Sequence, residues 1–224
     1  MTGETNGATA SAPGKYKFAF WFTVTNDARF LSHRDSLRLW QRALTRGQLA
    51  VRYSEGFNPH MRVSLPWPRN VGMSSQAEVL VGEFVRDYEP ETMRQKLSGQ
   101  LPKDIKLLRV EAINPCGTWQ PLRVHYQINL EPGIDRDTLA QRIEGFQQAP
   151  AWCVTRAAHS RHPSSTIDLR RGVTNIQLKS EVLFCTIEVG RRQTARLDEL
   201  LEALEIKSPL QLTHINRIAV EYTV

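Results

Sequence analysis

One feature constrains this chain more than any other: it runs twice through the same order of segments. Residues 15–24, "KYKFAFWFTV", are aromatic-rich and suit a strand. "SHRDSLRLWQRALTRG" reads as a helix. Ser32 is a good N-cap, Asp35 falls near the positive end, Leu37, Trp40 and Leu44 recur at helical spacing, and Gly47 marks the stop. Residues 49–53 and 61–67 read as extended, and residues 77–85 as a strand. "EPETMRQKLSGQLP" places Pro90 just inside a helix and ends it with Gly and Pro, and "IKLLRVEAI" closes the pass as a strand. Residues 114–121, "NPCGTWQP", carry two prolines, a glycine and no periodicity, and read as a linker.

The second pass begins with "LRVHYQINL", where Val124, Tyr126, Ile128 and Leu130 alternate with polar residues. "DRDTLAQRIEGFQQ" gathers Leu139, Ile143 and Phe146 on one helical face. "AWCVTRAA", "STIDLRRGVTNIQLKS" and "EVLFCTIEVG" read as extended, "TARLDELLEALE" as a helix and "LTHINRIAVEYTV" as a terminal strand. The order β-α-β-β-α-β is the split βαβ pattern. It predicts an α+β chain of two tandem ferredoxin-like halves with antiparallel sheets, residues 15–113 and 122–224, with room for an extra strand between Cys153 and Gly190. The halves share an order of elements, not a sequence repeat. Residues 1–14, rich in Thr, Ala, Gly and Ser, read as a disordered tail without the basic start and apolar run of a signal peptide.

A hydrophobic share of 41% is enough for a core, and a net charge of +6 favours polyanionic partners. Cys116, Cys153 and Cys185 are dispersed, form no CxxC, and read as reduced, buried thiols of a cytoplasmic protein. No apolar run is long enough for a membrane span. The signatures of P-loop, dinucleotide-binding, zinc-protease and nucleophile-elbow proteins are all missing.

Arg34, Arg38, Arg42 and Arg46 fall at every fourth position, on one slanting helical stripe opposite Leu37, Trp40 and Leu44. Like charges at this spacing repel by a few tenths of a kcal/mol per pair, about 0.2–0.5. The stripe is either a phosphate-binding row, since the guanidinium fork matches phosphate, or an ordinary solvated face. In "SHRD", Ser32, His33 and Asp35 meet at a strand-to-helix junction, where they serve either as a cap or, with His60, as candidate catalytic groups. The loop "YSEGFNPHMR" has two readings as well. Phe57 is a stacking platform for a base with His60 and Arg62 beside it, or a plug that folds back over a positive-φ corner at Gly56. Either way, the "SHRD" and "GFNPH" segments are expected to converge at one end of the sheet. Further on, Arg161, Arg170 and Arg171, with His159 and His162, form a second basic segment that lines a groove or a solvated hairpin. Spacing gives no support to a metal site on His33, Asp35 and His60, and no cofactor is expected.

The stretch from Arg29 to Phe84 resembles the core of the radical-SAM-linked protein family, an uncharacterised bacterial family known also as a domain of unknown function. The resemblance rests on Phe30, Leu31, Ser32, His33 and Asp35; on Arg42 and Ala43; on Ser54, Gly56, Phe57, Asn58, Pro59 and His60; and on Gly72, Ser75 or Ser74, and Glu78. "IDLRRGVTNI" and "RLDELLEAL" also resemble the family's later segments. Arg34 stands where the family usually has leucine, and Met61 where proline often follows, so part of the arginine stripe is this chain's own. The resemblance implies a radical SAM partner protein and, through neighbours such as a ribonuclease of the E/G type, an RNA or ribosome setting. The cluster itself would belong to the partner, because the cysteines here are too few and too far apart. Tandem ferredoxin-like halves are also similar to those of CRISPR-RNA-processing endonucleases, which is an analogy of fold alone. Together these readings describe an RNA-binding or substrate-presenting module serving a radical SAM protein rather than an enzyme. Two alternatives stay open: an RNA-processing or RNA-modifying enzyme using His33 and His60, and a protein–protein adaptor.

Overall fold

The computed structural model describes residues 16–114, 116–117, 119–157, 164–190, 194–206 and 214–223. The expected tail, residues 1–14, lies outside them, as do Arg161, His159 and His162.

Tyr16–Val24 form strand β1, in which Phe18, Phe20 and Phe22 alternate with Ala19 and Trp21 and so address opposite faces. Helix α1 (His33–Arg46) follows a short 3-10 turn, then come β2 (Val63–Ser64), β3 (Ser74–Phe84), α2 (Pro90–Leu97) and β4 (Ile105–Ile113). The second pass holds β5 (Pro121–Asn129), α3 (Arg136–Gln148), β6 (Cys153–Arg156), β7 (Ser165–Asp168) and the single turn α4 (Leu169–Gly172). It closes with β8 (Val173–Lys179), β9 (Val182–Glu188), α5 (Leu197–Ala203) and β10 (Ile215–Tyr222).

The fold is α+β with a mostly antiparallel sheet. Eight strands join in the order β4-β1-β3-β10-β5-β9-β8, with β2 beside β3. Each neighbouring pair is antiparallel except β3 and β10, which run parallel through Ser74–Asn216 and Ser75–Arg217. Sheets belonging to each half were expected, and this short parallel seam instead joins the strands into one sheet. With β8 and β9 taken as the middle strands of the second pass, its order, β10-β5-β9-β8, repeats that of the first, β4-β1-β3-β2.

Three local differences from the sequence reading have simple causes. The extended stretch at 61–67 shrinks to β2 and a bridge from Tyr53 to Met61, because Pro66 has no N–H to give a ladder. The run 165–180 breaks at Asp168, whose carboxylate accepts from the backbone N–H groups of Trp152 (2.9 Å) and Arg170 (3.1 Å) and turns the chain into α4. The extra strand in this region is a pair, since β6 and β7 form their own two-stranded sheet. The cysteine reading needs correction: all three thiols are free, but only Cys185 is buried, and Cys116 and Cys153 are exposed because each sits where no core element covers it.

Each half has its own apolar core. In the first, Phe20 and Phe22 meet Trp40 of α1 at centroid distances of 6.1 and 4.7 Å, with Met93 and Leu97 of α2 completing the layer. In the second, Val124, Tyr126 and Ile128 pack against Leu139, Ile143 and Phe146 of α3 and Leu200 and Leu201 of α5. On the other face of β1, Ala19, Val79 and Val81 lie beneath Trp21, Ile113, Tyr222 and Trp119. Trp119 comes from the linker, so part of that linker is packed.

Trp40 sits at 0% exposure with its indole N–H unpartnered, so its contribution is packing alone. Trp40→Ala should cost about 3–5 kcal/mol in urea unfolding. Trp40→Phe, which leaves a smaller cavity and also removes the unpartnered donor, should cost clearly less than Trp40→Ala. Equal losses for the two variants would contradict this account.

Candidate functional site

α1 is set by its ends and its inner stripe. The Asp35 N–H donates to Ser32 Oγ (3.1 Å), and the Ser32 hydroxyl donates to Asp35 Oδ2 (2.7 Å). "SHRD" therefore works as a cap, with the carboxylate also 3.5 Å from Arg38. His33 stands exposed at the first turn. Trp40, Ala43 and Leu44 are buried, which fixes the helix's rotation and leaves Arg34, Arg38, Arg42 and Arg46 exposed.

The "GFNPH" loop is a closed hairpin tip. Tyr53 and Met61 bridge, the Ser54 N–H donates to the His60 carbonyl (2.8 Å), and the His60 N–H donates to Ser54 Oγ (2.9 Å). Gly56 has φ +116°, the expected positive-φ corner. Phe57 does not fold back as a plug, because the tip is closed by Ser54 and nothing covers the ring, which is 106% exposed.

Loop and helix form the two walls of a cleft of about 560 Å³. Arg38, Arg42 and Arg46 line one side; Tyr53, Pro59 and His60 line the other. A second cleft of about 450 Å³ shares the same three arginines and is closed by Asp35, Gln100 and Leu101. The arginine row is thus a ridge between two clefts. Arg46 is held by Gln100, donating from Nε to Oε1 (3.1 Å) and from Nη2 to the carbonyl (2.5 Å). Arg42 makes no ion pair among the described residues. Convergence is therefore partial. The loop meets the middle and end of α1, Asp35 lies on the second cleft, and His33 is on the wall of neither.

The remaining expected site residues lie elsewhere. Arg62 is 3.7 Å from Glu83 and faces a different cleft with Lys17 and Trp119. Arg170 stacks 5.4 Å from the Phe146 ring centroid and donates to the Ala149 carbonyl, so it is held by the second core. Arg171 is exposed, 3.4 Å from Asp168. No group of three His, Cys, Asp or Glu side chains among the described residues is placed to hold a metal ion, and no described helix is long and apolar enough to cross a membrane.

Sequence reasoning missed the most buried charges among the described residues. Glu78 and Arg217 are 4% and 2% exposed and pair at 2.9 Å on the seam between β3 and β10. Arg217 also donates to the carbonyls of Trp67 (3.1 Å) and Pro68 (3.0 Å). Beside it, Arg69 donates to the carbonyls of Arg29 (2.6 Å) and Met73 (2.7 Å), and burial lowers its pKa against the opposing pull of Glu78. Glu78 alone within the apolar run "AEVLV" was the available signal, since a carboxylate there needs a partner. The cleft beside this seam, about 510 Å³, is lined by Trp67, Tyr126, Arg156 and Arg217. Its two buried-side cations are already neutralised, Arg156 through a two-point pair with Glu199 at 2.5 and 2.8 Å. On the second half's sheet, His125 lies 3.0 Å from both Thr186 Oγ1 and Glu221 Oε1. That contact holds the Glu221 carboxyl below its ordinary pKa, with Arg123 adding to it. The line ties β9, β5 and β10 together, and Thr186 is buried beneath it.

Residues 17–199 match the family described as "Uncharacterized protein conserved in bacteria" (DUF2344). No curated protein matches the chain.

Removing one member of the seam pair strands the other in the core. Arg217→Met should cost about 3–5 kcal/mol in denaturant unfolding, and the double variant Glu78→Leu/Arg217→Met should recover a large part of that loss. A single variant as stable as the parent would show that the pair does not hold the seam.

Proposed function

For a chain that belongs to this family of conserved bacterial proteins, we propose an RNA-binding module that holds phosphates on Arg38, Arg42 and Arg46 and presents its ligand to a radical SAM partner protein. One observation carries the RNA half of this reading: three exposed guanidinium groups and His60 share a cleft in which Arg42 has no carboxylate partner among the described residues. Rows of like charge at helical spacing repel, and an anion bridging them turns that repulsion into attraction. The net charge of +6 adds a long-range pull toward polyanions.

The partner half rests on the resemblance carried by "FLSHRD", "SEGFNPH" and the segment from Gly72 to Glu78. The matching strand orders of the two passes support reading each as a ferredoxin-like half. Free thiols at Cys116 and Cys153, exposed yet unpaired, agree with a reducing cytoplasm. The alternative of His33 and His60 as acid and base draws no support from the cleft, whose wall includes His60 and not His33. Asp35 is occupied by the cap and by Arg38.

Binding of a fluorescein-labelled oligoribonucleotide, followed by anisotropy across a salt series, tests the RNA half. Three neutralised phosphates should give a log–log slope near −2, at about −0.7 each. Arg42→Ala should flatten the slope by about 0.7, and the triple variant Arg38→Ala/Arg42→Ala/Arg46→Ala should abolish binding. A salt-insensitive curve, or a triple variant that binds like the parent, would sink this reading. Retention from nuclease-treated lysate of the native host tests the partner half: a radical SAM protein should remain bound, and its absence would remove the partner.

A further inference from the structure

The arginine cleft has a second chemical character besides charge. Tyr53, which lines it, is 50% exposed, and Phe57 at the tip of the same loop is fully exposed. A hairpin tip fastened through Ser54 and His60 thus leaves two aromatic side chains open to solvent, one of which, Tyr53, lines the cleft across from the guanidinium row. From this, and resting on the reading of the cleft as an RNA site, we infer that it takes an unpaired RNA strand and not a duplex, with Tyr53 as the residue on which a base stacks.

Two physical arguments lead there. Residues four apart on a helix rise by about 6 Å. Arg38, Arg42 and Arg46 therefore step along α1 at the scale on which successive phosphates follow one another along a single strand. The stripe drifts slowly around the helix, so one strand lying on a slant meets all three. The second argument concerns the bases. In a duplex the base faces are stacked inside and closed to an aromatic side chain; in a single strand each base offers a π-face, and stacking on aromatic residues adds to the backbone contacts. A cleft of about 560 Å³ has room for a nucleotide or two between the walls. Phosphates on the helix wall would leave the bases pointing to the loop wall.

Tyr53 was part of the quoted loop, yet nothing in the sequence distinguishes it from a strand residue that packs inward. Its backbone does bridge to Met61, but the ring does not enter the core. A Tyr53 substitution therefore leaves the hairpin's hydrogen bonds in place.

The test compares a labelled oligoribonucleotide with the same strand annealed to its complement, at one salt concentration, on the full chain. The single strand should bind at least about tenfold tighter. Tyr53→Ala should weaken single-strand binding about tenfold with the salt slope unchanged. Tyr53→Phe should bind like the parent, and thermal melting of both variants should match it. Equal or tighter duplex binding overturns the inference, as does a Tyr53→Ala variant that binds the single strand as the parent does. If arginine-dependent, salt-steep binding survives in either case, the RNA reading stands without this refinement. If neither probe binds, both fall. If the Tyr53→Ala variant melts early, the single-strand preference of the parent and the behaviour of Tyr53→Phe decide alone.

Discussion

The Glu78–Arg217 pair is the constraint around which this molecule is assembled. Two charges 4% and 2% exposed are expensive to desolvate, and they persist because both terminal nitrogens of the guanidinium are bonded, to the carboxylate and to the carbonyls of Trp67 and Pro68, while Nε has no hydrogen-bond partner among the described residues. The parallel pairing of β3 with β10 is only two residues long, through Ser74 and Ser75. A ladder that short does not specify a register by itself. The ion pair, with Arg69 gathering the carbonyls of Ala28, Arg29 and Met73, supplies the missing specificity and brings the 67–73 turn against the seam. Gly72, at φ +93° and buried, lets the chain make that turn and donates its N–H to the Arg29 carbonyl.

β3 carries the consequences to the arginine cleft. Its first residues join the second half, and its last residues anchor both stems of the hairpin. The Arg52 N–H donates to the Glu83 carbonyl, the Glu83 N–H to the Arg62 carbonyl, and the Val85 N–H to the Ala50 carbonyl. One strand thus ties seam and loop together. α1 is set independently, by Trp40 against Phe20 and Phe22. The cleft forms where these two systems meet, which makes its width a property of the first core and of β3, rather than of the loop alone.

Much of this was legible in the sequence, because it is written in local periodicity. The stripes Leu37, Trp40, Leu44 and Leu139, Ile143, Phe146 mark their helices, and Ser32 and Gly56 do what their chemistry requires at a cap and a corner. What was not legible depends on distant pairing. Nothing local in "INRIAVEY" shows that Arg217 meets a glutamate 139 positions away, or that β10 lies beside β3. The turn at Asp168 was hidden for a related reason: its carboxylate is committed to Trp152 across the β6–β7 hairpin, so the extended run breaks through a contact that periodicity does not report. Phe57 was ambiguous because an aromatic residue in a loop packs inward only where neighbouring elements cover it, and here the residue is fully exposed.

The motif residues divide by whether the fold consumes them. Ser32 and Asp35 spend their polar atoms on the cap, Ser54 on the hairpin, Ser75 and Glu78 on the seam, and Gly56 and Gly72 supply backbone angles. For these, folding alone accounts for the residue type. Phe57, His60 and Arg42 do not fit that pattern. The ring of Phe57 touches solvent, the His60 imidazole and the Arg42 guanidinium face a cleft, and the fold closes around them without using their chemistry. Exposed aromatic and cationic side chains on an ordered frame add little to stability, and the proposed single-stranded RNA, which carries both negative charge and accessible planar faces, would use all three.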